Sequence, residues 1–225
     1  MPYPIKLSLK TEVVPVLLIL ASFALGFYFY AHFPDRVATH WGFNGQPNGY
    51  SGKFAGAFLL PFILLGIYAL FLALPFIDPK AERYRDFAKT YHFFKTAIVL
   101  VMFAVFVVAG VNNLGHPAGI NRWIPVMLGL LMIAIGNYTG KIKQNWLMGI
   151  RNPWTLSSEN VWNKTHRVGG WMFMAFGLLI ILSPFLPKTL GIAAYILGIV
   201  LVIFGTTAYS YLLYRKEKNQ KTIIN

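Results

Sequence analysis

The stretch from Gly136 to Trp171, GNYTGKIKQNWLMGIRNPWTLSSENVWNKTHRVGGW, gathers most of the side chains in this chain that could do chemistry. His166 and Glu159 are of the types that serve as general acid, general base or zinc ligand. Arg151 carries a planar guanidinium able to hold a carboxylate, a phosphate or a row of carbonyls in fixed geometry. Asn137, Asn145, Trp154, Thr155 and Trp162 add amides, a hydroxyl and indoles. A plain connector between two apolar stretches needs only a few polar residues to turn the chain. A smaller concentration lies between Ala31 and Lys53, where His40, Trp41 and Tyr50 accompany the turn signals Asn44-Gly45, Pro47-Asn48-Gly49 and Ser51-Gly52. That pattern predicts a tightly folded loop, with a small hairpin as its simplest form.

The spacing inside the larger segment predicts its local shape. Gly149 and Pro153 bracket a turn around Arg151-Asn152, and Thr155 or Ser157 is placed to cap a new helix with Glu159 in its first turn. Trp162 and His166 are four residues apart and share a face of that helix, with Ser158 one turn earlier. Arg151 is expected to tie the segment to the ends of the spans, with Asn137 and Asn145 as acceptors. Interfacial anchoring accounts for the same residue types, with tryptophans at headgroup depth and cations toward lipid phosphate.

The elements that position these residues follow from composition. The chain is 56% hydrophobic and 12% charged, about half the charge of a typical soluble domain, which is ~25% charged. Charge-free stretches recur at Val13–Ala31, Phe54–Ile77, Thr96–Val111, Trp123–Tyr138, Val168–Leu186 and Thr189–Tyr214. Most approach or exceed the ~20 residues that cross ~30 Å of hydrocarbon as helix. The fold class is therefore all-α, an integral membrane bundle of about six spans. The whole of 1–225 reads as one membrane domain: an N-terminal helical pair with its folded outer loop over 12–78, then the remaining spans over 92–214, including the segment 136–171. No Asp, Glu, Lys, Arg or His is expected deep inside any span, which argues against an ion-coupled transporter. The loop Asp78 to Lys89 reads as a solvated helical extension of its neighbours, with Asp78-Pro79 as a cap and first-turn signal, and the basic tail from Arg215 is expected to fray.

The net charge of +13 could suggest nucleic acid, but its distribution follows the membrane. Of the 20 lysines and arginines, only Arg36, Lys53, Arg122 and Lys188 fall on the side of the hairpin loop. By the positive-inside rule both termini are cytoplasmic, and no direct nucleic-acid binding is expected. The lipid bilayer is the first partner. His40 and His166 then stand on opposite sides of it, too few on either for a metal site. There is no cysteine, and no HExxH, nucleophile elbow or phosphate loop occurs. No catalytic, metal-binding or cofactor-binding residue is assigned, no cofactor is expected, and the reading leans away from an enzyme.

The long segment also resembles the signature of the SdpI family of bacterial membrane proteins. The matches are Gly136, Asn137, Asn145, Gly149, Ile150, Arg151, Pro153, Trp154, Thr155, Leu156, Trp162, Thr165 and His166, with a departure at Asn152, where the family is expected to carry threonine. The earlier FPDRVATHWGFNGQPNGYSGK resembles the small N-terminal domain of unknown function that often accompanies it. The resemblance implies a multi-pass protein of the bacterial cytoplasmic membrane that confers immunity to a secreted, membrane-active peptide toxin. It also implies signalling, by holding a small DNA-binding repressor at the inner face. His40, Trp41 and Tyr50 are then expected to meet the peptide outside, and Arg151, Trp154, Trp162 and His166 to form a docking face inside. A small-molecule or lipid transporter, or a membrane enzyme acting on a headgroup, is the other class the sequence leaves open.

The charge asymmetry gives a direct test of orientation. Single cysteines placed at Asn48 and Asn219 of this cysteine-free chain should react with an impermeant maleimide from opposite sides of the membrane. Labelling of both from outside intact cells would contradict the arrangement.

Overall fold

The computed structural model describes residues 3–224, with side chains through residue 220. Among these are six helices long and apolar enough to cross a membrane, as the apolar stretches require. In hydrocarbon every backbone N–H and C=O must be satisfied within the segment, and a helix does this locally. The chain runs through α1 (Leu9–His32), strands β1 (Arg36–Trp41) and β2 (Pro47–Gly52), and α2 (Lys53–Ile77). A 3-10 helix (Ala81–Phe87) then leads into α3 (Ala88–Asn113), followed by α4 (Ile120–Thr139) and the short α5 (Pro153–Ser157). The remaining elements are α6 (Glu159–Leu182), α7 (Lys188–Val200), a π-helical turn (Leu201–Gly205) and α8 (Thr206–Ile224). The last three form one continuous span from Lys188 to Gln220. Successive spans alternate in direction, so the β-hairpin lies at one end of the bundle and residues 140–158 at the other.

The expected hairpin is present. β1 and β2 pair antiparallel with Arg36 opposite Gly52 and Trp41 opposite Pro47, and the register slips around His40. Asn113, the last residue of α3, clamps the hairpin: its Oδ1 accepts from the Ala38 N–H at 2.8 Å, and its Nδ2 donates to the Ala38 carbonyl at 2.9 Å. The exposed edge of β1 is thereby satisfied without a third strand.

The closest helix contact is α4 against α6. Gly129 faces Gly177 and Gly136 faces Gly170, and a Cβ added at any of the four would come within 2.5 Å of the partner's carbonyl oxygen. Lipid gives helices no hydrophobic reason to associate, so such small-residue contacts, where backbones touch, carry the association.

Three sequence expectations need correction. α3 starts eight residues before Thr96, at Ala88, so Lys95 is inside a span and not beside it. Its ammonium is buried and donates to both oxygens of Glu12 in α1 at 2.5 and 2.6 Å. Tyr68 of α2 donates to the same carboxylate at 2.8 Å, which joins three spans through one ion pair. A charge at this depth is tolerated because it is paired and hydrogen-bonded. The second correction concerns residues 78–89, which are not a solvated extension: Asp78, Tyr84 and Phe87 are buried, and Tyr84 and Phe87 join an aromatic cluster with Phe71, Tyr91, Phe94 and Trp162. The third is the tail, which does not fray at Arg215; α8 continues as helix to Ile224. Ser158 and Asn160, at the start of α6, both donate to Glu217 and hold it there. Asn225 lies outside the described residues.

Candidate functional site

Residues 140–152 cross the end of the bundle without regular secondary structure, so their backbone groups must be satisfied by side chains or water. Buried side chains supply much of this. The Asp78 carboxylate, at the C-terminal end of α2, accepts from the N–H groups of Trp146 and Leu147 at 3.0 Å each. It also accepts from the Tyr84 hydroxyl at 3.0 Å and the Lys80 N–H at 2.8 Å. Asn145 is fully buried, accepts from the N–H groups of Leu147 and Met148, and donates to the Lys143 carbonyl. Gln144 donates to the carbonyls of Thr155 and Leu156 and accepts from the Lys80 ammonium at 2.7 Å.

Trp162 and His166 share a face of α6, as their spacing predicts. Their rings stack at 4.0 Å between centroids, and both are fully buried. The Trp162 indole donates to the Ile142 carbonyl at 2.8 Å. His166 Nε2 accepts from the Ile150 N–H at 2.9 Å, while Nδ1 lies 2.9 Å from the Trp162 carbonyl. These partners fix a neutral ring with the proton on Nδ1. Both nitrogens are committed, so His166 offers neither a free base nor a metal ligand. Gly149 passes directly over this ring with φ +113, and a Cβ there would stand 2.4 Å from His166 Nε2, so glycine is required on both counts.

Asn152, the departure from the expected threonine, keeps the turn intact. It caps α5 by accepting from the Thr155 N–H at 3.0 Å, and the Thr155 hydroxyl accepts from the Asn152 N–H in return. Its Nδ2 reaches Ser210 of α8 at 2.9 Å. The caps thus differ from expectation: Asn152 starts α5 and Ser158 starts α6, in place of Thr155 or Ser157. Arg151 differs too. It is exposed, and its guanidinium donates to the Trp146 carbonyl at 2.7 Å, not to Asn137 or Asn145. Asn145 is unavailable because its own loop uses it, and Asn137 points away on an exposed face of α4. Trp154 packs on Tyr211 of α8, with ring centroids 5.2 Å apart.

At the hairpin end lies a cavity of about 660 Å³. The hairpin covers it, and α2, α3, α4 and α7 contribute walls that are largely aliphatic and aromatic. His40 and Trp41 line it, whereas Tyr50 does not; Tyr50 is exposed and lies under the Arg36 guanidinium at 4.8 Å. The Trp41 indole N–H is buried without a hydrogen-bond partner. His40 instead pairs across the hairpin with Asn48. The candidate residues therefore fall into two groups: Asn145, Thr155, Trp162 and His166 join in one network, while His40 and Trp41 belong to the cavity at the opposite end. The sequence points to Asp78 only as a helix cap, and to Gln144 and Tyr84 not at all. A carboxylate at the end of an uninterrupted apolar span, in a chain with 7 acidic residues, was the available signal for Asp78.

Alternating apolar helices with irregular polar segments confined to their ends define a multi-pass helical membrane protein. The family model described as the SdpI/YfhL protein family matches residues 141–211, and a domain of unknown function, DUF1648, matches residues 17–65. The chain is also 24% identical over 208 residues to the Immunity protein SdpI of Bacillus subtilis (strain 168), covering 92% of this chain and 98% of that one. The resemblance read from the motifs is borne out over these two segments, and with six apolar helices the chain is a multi-pass protein of the bacterial cell membrane. No solved structure matches.

The hydrogen-bond assignments separate two residues that look alike as structural pins. Asp78→Ala strands three backbone donors and a phenol, and should cost roughly 3 kcal/mol or more. Arg151→Ala removes one bond to an exposed group and should cost about 1 kcal/mol or less. Thermal unfolding in detergent, followed by near-ultraviolet circular dichroism, should rank them in that order. Equal losses would reassign the pin to Arg151.

Proposed function

We propose that this chain is an immunity protein of the bacterial membrane, and that it intercepts a secreted membrane-active peptide in the cavity beneath the hairpin. The carrying observation is that cavity. It is apolar, of a size that encloses small ligands or a few side chains, and covered by a hairpin at the end with few cations. An amphipathic peptide entering from outside would meet the hairpin before the bilayer interior. His40 and Trp41 would contact it, and the unpaired Trp41 N–H would gain an acceptor from a peptide carbonyl. Similarity to a protein named for immunity supports the same reading. At the opposite end Trp146 and Arg151 remain exposed, and this reading gives that surface to a small DNA-binding repressor.

Filling the cavity tests the proposal. Ala109→Phe on α3 and Ala55→Phe on α2 place a ring in it from two different walls. A deletion strain should be sensitive to the peptide fraction of its own species' culture supernatant, and the wild-type gene should restore growth. Each filled variant, at wild-type membrane abundance, should fail to restore it. Full protection by both would move the site elsewhere.

A further inference from the structure

The N-terminal arm is fastened across the end of the bundle opposite the hairpin. Tyr3 donates to the Leu72 carbonyl at 2.9 Å, Arg85 Nε donates to the Pro4 carbonyl at 3.1 Å, and Ile5 is buried in the aromatic cluster. Burial, and then the Glu12 charge, raise the Tyr3 phenol above its ordinary range, so it stays a neutral donor. This anchoring holds Lys6 beside the start of α1, where a cavity of about 560 Å³ is lined by Lys6, Lys10, Lys89 and His92, with Ser8 and Thr11.

The charge around this cavity is unbalanced. Glu12, next to Thr11, is committed to Lys95, Tyr68 and Thr11. Among the described residues, none of Lys6, Lys10 and Lys89 comes within 4.0 Å of a carboxylate oxygen. His92 Nδ1 is buried without a hydrogen-bond partner, 3.7 Å from Glu12 and too far to bond it. Lys6, Lys10 and Lys89, all exposed, thus line one open groove without a paired carboxylate, at the level where α1 and α3 enter their apolar stretches. A compact anion with several acceptor oxygens fits such a site better than a single carboxylate does.

We infer that this cavity binds a phosphate group, carried by an anionic phospholipid or free in solution. Lys6, Lys10 and Lys89 would neutralise its charge. Native mass spectrometry of the full-length chain, titrated with phosphatidylglycerol, tests this. The variant Lys6→Gln/Lys10→Gln/Lys89→Gln should bind that lipid about tenfold or more weakly, as expected for three lysines at a membrane surface. A control with the same loss of charge at the same end, Lys141→Gln/Lys164→Gln/Lys216→Gln, should bind it as the wild type does. Displacement of the lipid by millimolar inorganic phosphate would assign the site to the free anion; resistance to displacement would assign it to the lipid. Equal binding by the cavity variant and the wild type, or equal losses in both variants, would overturn the site in favour of diffuse attraction.

Discussion

The carboxylate of Asp78 is the contact on which the ordered end of this protein depends. It sits where α2 leaves the apolar region and accepts from two backbone N–H groups nearly seventy positions later in the chain. Those donors belong to a segment with no helix or strand to satisfy them. A charged acceptor in a buried setting binds such donors more strongly than a neutral one does, and leaving them unpaired is costly. Asp78 therefore determines where residues 145–147 run. Their path places Ile150 against His166 and Gly149 over its ring. The Trp162–His166 stack, the Asn152 cap and the link to α8 depend on that placement. Sequence leads to packing here through one side chain, and the packing leaves neither nitrogen of His166 free.

The two ends of the bundle have opposite characters. At the segment end, polar side chains satisfy one another and the aromatic cluster fills the space beneath, so the surface is rigid and largely self-contained. At the hairpin end, the walls diverge and leave an apolar cavity with an unpaired indole N–H. The tight α4–α6 contact, where glycine backbones touch at two levels, holds these two spans in close lateral register between the ends. Binding at a preformed cavity avoids much of the ordering cost that a flexible loop would incur. An immunity function placed there needs only that the peptide prefer the cavity to the bilayer.

Much of the architecture was legible in the sequence because hydrocarbon leaves the backbone few choices. Six apolar stretches had to become helices, and the Asn-Gly and Pro-Asn-Gly signals had to turn the loop between the first two. The Trp162–His166 pairing followed from helical spacing alone. The depth of Lys95 was not legible, because its apolar run begins one residue later and its partner Glu12 lies 83 positions away. The role of Asp78 was hidden for a related reason: its main partners are backbone N–H groups, which every residue but proline has and which leave no mark in a sequence. Arg151 attracted attention as a cation between Gly149 and Pro153, yet its acceptor is likewise a backbone carbonyl. Cavities belong to the arrangement of elements, so the space beneath the hairpin had no signature beyond His40 and Trp41.

Amide hydrogen exchange across residues 145–151, measured on the full-length chain in lipid nanodiscs, tests the central role of the buried polar network most directly. Although this segment has no regular secondary structure, its N–H groups are bonded to Asp78, Asn145 and His166. The account predicts that Trp146, Leu147, Met148 and Ile150 exchange as slowly as the flanking ends of α4 and α6. It also predicts that Asp78→Asn accelerates Trp146 and Leu147 first. Exchange of the whole segment within seconds in the wild type, at the rate of an open loop, would contradict it.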